Sequence, residues 1–164
     1  MSTLGVVNGV LWSVQVFLAL FFLAASVPKI LGRGIERWTG FSDLPRAEVV
    51  FIGVMELFGA IGLVLPMATG ILPWLTPLAA LGLAVNVLMA AGFHVRADER
   101  LEALETGLWA SIAAMIAIGR WDLLASHYIR PMLLVAALAV LVPSAIINVV
   151  VLLRRPARSE AHGA

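Results

Sequence analysis

Residues 51–66 read FIGVMELFGAIGLVLP. A single ionisable group, Glu56, sits inside an otherwise apolar run that closes on Pro66. The stretch is rich in Leu, Ile, Val and Phe, and it fits a helix that crosses the hydrocarbon layer of a bilayer, which takes roughly 20 apolar residues. A carboxylate at that depth is costly against lipid, so it should face the inside of a bundle and meet a partner. Gly53, Gly59 and Ala60 lie three or four positions from Glu56 and share its helical face. Small residues on that face let a neighbouring helix approach closely.

The rest of the chain has the same character. Of 164 residues, 62% are hydrophobic and 13% are charged, and the mean hydropathy is +1.01. Soluble domains average about 45–50% apolar and about 25% charged residues. A chain of this length has too little interior to hide so much apolar surface, so lipid is its expected solvent and partner. The net charge of +1 argues against nucleic-acid binding. Cysteine is absent, which excludes disulfides, thiolate metal ligands and iron–sulfur ligation.

Five runs have the length and composition of membrane helices: 7–31, 47–66, 71–93, 103–119 and 131–153. The fourth is the weakest and requires Glu105 to lie at the interface. No Lys or Arg precedes Lys29, and the first apolar stretch outruns a signal-peptide core, so it is expected to remain as a span. Pro131 suits a first helical turn, and Pro143 should kink the last span. Five spans put nine Lys and Arg on one side, and only Arg120 and Arg130 on the other. The positive-inside rule then predicts an N-terminus outside and a C-terminus in the cytoplasm of a bacterial plasma membrane. Trp12, Trp74, Trp121 and Tyr128 would form an outer aromatic belt. Between the first two spans, Ile35, Trp38, Phe41 and Leu44 recur every third residue. That pattern predicts an interfacial amphipathic segment near 33–45.

Lys29 is the expected partner of Glu56. Helical side chains lean toward their own N-terminus. The first two helices run in opposite directions, so Lys29 and Glu56 lean toward each other. The alternative is a Lys29 that snorkels to the headgroups above a protonated Glu56. Asn86 and His94 lie on one stripe of the third span with Gly82 and Ala90. Asn86 is about 12 Å from His94 and close to the depth of Glu56. The candidate binding pocket is therefore Lys29, Glu56, Asn86 and His94, with Gln15 above and Ser26 beside Lys29. Each has a plainer use: Asn86 as an interhelical hydrogen bond, His94 as an interfacial residue next to Arg96, and Gln15 as a donor to a neighbouring backbone. No two histidines can share one depth within the chain, which argues against a bis-histidine haem. Glu56 and His94 alone are too few ligands for a metal.

At these residues the chain resembles the DoxX-like family of small bacterial membrane proteins. The segments that carry the resemblance are FLALFFLAASVPKILG, GVMELFGAIGLVLP, LTPLAALGLAVNVLMAAGFHVRADE and IAAMIAIGRW. The resemblance implies a four-helix membrane bundle. The chain departs from it by a fifth transmembrane helix. The expected fold class is thus an all-α membrane protein. Its expected domains are a four-helix unit over 1–121, an outer loop and additional helix over 122–153, and a disordered cytoplasmic tail over 154–164. Some relatives are linked to quinol oxidase or thiosulfate:quinone oxidoreductase complexes. The resemblance therefore implies an accessory or quinone-linked role, with quinone as the candidate ligand and Lys29, Glu56 and His94 as the residues of any shared site. The alternatives are a structural partner of another membrane protein or of a second copy, and a small-solute or proton transporter. No nucleophile–base–acid set and no nucleotide loop supports an independent catalytic activity.

Overall fold

The computed structural model describes residues 2–33, 44–126 and 129–154, with the backbone alone at 137, 140–141, 144–145, 147–149 and 151–154. The described residues form helices α1 (Thr3–Leu31), α2 (Arg46–Thr69), α3 (Leu75–Arg96), α4 (Arg100–Gly119), α5 (Asp122–Ser126) and α6 (Pro131–Arg154). Four segments are long and apolar enough to cross a membrane: α1, α2, α3, and α4 continued through α5. The fifth long helix, α6, has 24 residues and begins on Pro131. The chain is an all-α membrane bundle. The predicted interfacial segment near 33–45, Tyr128, and the tail beyond Arg154 lie largely or wholly outside the described residues.

Consecutive long helices pack side by side. α1 lies on α2, α2 on α3, and α3 most extensively on α4, while α4 touches α1 over a shorter seam. α6 packs on α3. The short connections 70–74 and 97–99 set α2 against α3 and α3 against α4, since helices joined by a few residues pack antiparallel. The core is a column of Leu18 and Phe22 from α1, Leu63 from α2, Leu83 from α3, and Ala113 and Ile116 from α4. Outward-facing Phe17, Leu20, Phe58, Leu65, Leu88, Leu108 and Ile118 are exposed. Such a ring of large apolar side chains is the surface that acyl chains cover.

Glycine permits the closest helix approaches. A Cβ on Gly53 would meet Lys29 Cβ at 2.8 Å and Ser26 O at 3.1 Å, and one on Gly62 would meet Ala79 Cβ at 2.5 Å. The chain leaves α1 through Gly32 at φ 72°, in the left-handed region, where its N–H donates back to Pro28 O at 2.8 Å.

Two local features differ from the sequence expectation. Pro66 does not end α2, which continues to Thr69. A proline inside a helix leaves the carbonyl four residues earlier, that of Gly62, without its usual donor. Thr76 Oγ1 of α3 supplies one at 3.1 Å, and Gln15 Nε2 of α1 donates to the adjacent Leu63 O at 2.8 Å. These neighbours let the helix run through its proline. The second difference is Trp74. It is 3% exposed and packs in the end of the bundle rather than in a headgroup belt, whereas Trp121 is 54% exposed.

Candidate functional site

Lys29 Nζ of α1 donates to both Glu56 Oε1 and Oε2 of α2, each at 2.6 Å. Lys29 is 6% exposed and Glu56 4%. The backbone explains the match. Gly53 faces Lys29, so one turn further along α2 Glu56 lies level with Ser26, one turn back along α1. The lysine stem spans that turn by leaning toward the N-terminus of α1, and Glu56 leans the opposite way along an antiparallel helix. A cation and a carboxylate that share hydrogen bonds inside apolar surroundings satisfy each other. Glu56 lies ten residues after Arg46, about 15 Å along α2 from its start.

The backbone around Lys29 is itself held. Arg46 at the start of α2 donates from Nη1 to Lys29 O and from Nη2 to Ile30 O, the latter at 2.6 Å. These are carbonyls of the last turn of α1, which lack intrahelical donors. A guanidinium on two of them caps α1 and fixes the residue that carries the ammonium. Ser26 is fully buried one turn away, and its hydroxyl donates to Leu23 O of its own helix at 2.8 Å.

Asn86 and His94 are both buried on α3. Gly59 and Gly62 of α2 face Leu83 and Ala79 of α3. Continuing that antiparallel register by one turn sets Asn86 level with Glu56. His94 lies two turns nearer the other end of α3. Its Nδ1 is 2.7 Å from Glu99 Oε2, and the Glu99 N–H donates back to His94 O at 2.9 Å. Those two bonds close the tight turn Val95–Asp98, in which Asp98 takes a positive φ of 59°. His94 is thus more than an interfacial neighbour of Arg96: it is buried and joined to the first acidic side chain before α4.

Gln15 does not belong to the Lys29 group. It is fully buried, but it lies fourteen residues before Lys29, about 21 Å along α1. Its amide donates to Leu63 O, and its Oε1 accepts from Arg120 Nε at 2.7 Å. Arg120 also donates from Nη1 to Asn8 Oδ1 at 2.6 Å, and its guanidinium carbon stands 5.8 Å from the centroid of the Trp12 ring. A second polar centre therefore sits at the opposite end of the bundle. In sequence Arg120 is only a loop charge on the side with few basic residues. The available signal was Asn8 and Gln15, seven residues apart and on one face of α1. Among the described residues, His, Asp and Glu side chains do not gather in threes as a metal would need.

A membrane bundle with a buried Lys–Glu pair joining its first two helices is the class that fold and site define. The chain belongs to the DoxX-like family, whose model matches residues 13–119. That match covers the Lys29, Glu56, Asn86 and His94 positions and stops before α5 and α6. No curated protein and no solved structure matches the chain.

Proposed function

We propose that this DoxX-like protein is a non-catalytic, quinone-linked accessory subunit of a membrane redox system. In this reading Lys29, Glu56 and Asn86 form its polar centre, and His94 stands on the route toward the cytoplasm. The observation that supports it most is the Lys29–Glu56 pair, an ammonium and a carboxylate buried on facing helices. Ionisable groups at membrane depth are expensive and commonly mark ligand or proton paths. An ammonium donor and an amide at one level suit the carbonyl and hydroxyl oxygens of a quinone ring, whose apolar tail is at home among lipid-facing helices. His94 and Glu99, in contact at the end of α3, would exchange protons with water on that side.

The nine-to-two distribution of basic residues supports an orientation with the N-terminus outside and the C-terminus inside a bacterial plasma membrane. Residues 1–121 would form the DoxX-like unit, and 122–153 an outer connection and an added helix that lies against α3.

A second reading rests on one feature of the same pair. Both Glu56 oxygens are taken by one ammonium, so the pair can fix helix register without meeting a ligand. The protein would then serve as an assembly partner of another membrane protein. Extraction in mild detergent followed by mass spectrometry of bound lipids and proteins separates the two. Co-purified ubiquinone or menaquinone, lost on Lys29→Met, supports the quinone-linked subunit. A co-purified membrane protein with no quinone supports the assembly role and overturns the first reading.

A further inference from the structure

Arg120 closes α4, is 7% exposed, and carries a charge that its direct partners do not neutralise. Nε and Nη1 donate to the neutral amides of Gln15 and Asn8, and Trp12 offers a ring face. Nη2 is buried and has no hydrogen-bond partner. The ion pairs among the described residues are Lys29–Glu56, His94–Glu99 and Arg100–Asp98, so no described carboxylate forms an ion pair with Arg120, and Asp122 acts on it only from a longer distance. Asp122, two residues on and exposed, is the nearby acidic residue in sequence. A guanidinium has five N–H groups. Two are spent on amides, and three remain, both of Nη2 and one of Nη1. Such donors suit the paired oxygens of a phosphate or carboxylate.

The place narrows the choice of anion. Arg120 sits where α4 ends and Trp121 begins the exposed turn into α5, beside the N-terminal half of α1. Below it the α1–α4 seam is apolar and aromatic. Leu11 meets Gly119, and Phe21 and Trp109 stack at 4.4 Å. Val16, Phe17, Leu20, Met115 and Ile118 along the same two helices are exposed to the acyl chains. A cation at the boundary above an apolar seam matches a phospholipid, with its phosphate at the fork and its chains along the seam. We propose that Arg120 is a phosphate-binding residue that holds the headgroup of an anionic phospholipid at this end of the bundle. The site is separate from Lys29–Glu56 and independent of the quinone reading. Gln15 and Asn8 act as positioning residues: they hold Nε and Nη1 and leave Nη2 as the donor without a protein partner.

The test uses the full chain, purified and stripped of lipid. It is offered dioleoylphosphatidylglycerol, dioleoylphosphatidylcholine or sodium phosphate, and retention is read by native mass spectrometry with melting shifts alongside. The phosphatidylglycerol lipid should be retained at least about tenfold better than the zwitterionic one, a difference of about 1.4 kcal/mol. Arg120→Lys keeps the charge but loses the fork, and should reduce that retention about tenfold. Asp122→Asn removes a competing negative charge from an exposed position and should increase it severalfold. This second variant keeps the test open if Arg120→Lys fails to fold. Sodium phosphate that displaces the lipid at millimolar concentration would assign the site to free phosphate and overturn the lipid assignment. Equal retention of both lipids, or retention unchanged in both variants, would overturn the anion site altogether.

Discussion

Replacing Lys29 with Met removes the ammonium and leaves Glu56 in place. Methionine keeps most of the stem volume, so the change isolates the charge. Glu56 is 4% exposed, and both of its oxygens accept from the ammonium that is lost. Breaking a buried ion pair by deleting one partner costs about 3–5 kcal/mol. Insertion scales put an acidic side chain at mid-membrane at about 2.5–3.5 kcal/mol. The two estimates overlap near 3 kcal/mol, which is the expected loss. The reverse change, Glu56→Met, should cost less, about 1–2 kcal/mol. Lys29 is two residues from the end of α1, and its long stem can carry the charge toward the headgroups. The double variant K29M/E56M leaves no stranded charge and should lie within about 1 kcal/mol of the parent. Reversible unfolding in mixed micelles, followed by helical circular dichroism, gives all three values. The cycle should show a coupling of about 3–5 kcal/mol between the two positions. Losses that simply add in the double variant, or a Lys29→Met cost below about 1 kcal/mol, would refute the pairing as the source of the effect.

Other outcomes follow from the packing and from the caps. Gly53→Ala places a methyl 2.8 Å from Lys29 Cβ and 3.1 Å from the Ser26 carbonyl, and should cost about 1–3 kcal/mol by forcing α1 off α2. Gly107→Ala meets nothing within 4 Å and should be neutral or slightly stabilising in the same unfolding assay. Arg46→Ala removes two charge-assisted bonds to the last turn of α1 and should cost about 2–3 kcal/mol. Arg46→Lys should recover part of that loss, and hydrogen exchange of the amides around Lys29 should rise in the Ala variant alone. Gln15→Leu preserves the size of the side chain but takes an acceptor from Arg120 and a donor from Leu63 O, for about 2–3 kcal/mol, read as a lower melting point.

The fold was legible because one signal dominated. Long apolar runs broken by charged turns leave few structures other than membrane helices. The partner of Glu56 was legible for a related reason. One carboxylate stands out in an apolar background, and antiparallel helices make the lean of two side chains computable from sequence. Gln15 shares a helix with Lys29 but not a depth: fourteen residues, about 21 Å along α1, separate them, so its partners are Leu63 O and Arg120. In sequence Arg46 and Arg120 are only charges at helix ends, and their roles as hydrogen-bond donors depend on which carbonyls and amides the packed helices bring to them. Pro66 was expected to end α2, because the hydroxyl of Thr76 and the amide of Gln15 come from other helices. Helix α5 spans five residues, too few to show a period.

The most direct test of the account is the distance between the Lys29 ammonium nitrogen and the Glu56 carboxyl carbon. Solid-state NMR dipolar recoupling in lipid bilayers, with ¹⁵N on lysine and ¹³C on glutamate, measures it. Lys29 is the only lysine in the chain, so the nitrogen signal is unambiguous. Hydrogen bonds of 2.6 Å to both oxygens place the two nuclei within about 3.5 Å, and a strong coupling of that range is expected. No measurable coupling, with the lysine nitrogen instead in contact with water and lipid headgroups, would contradict the buried pair on which the site is built.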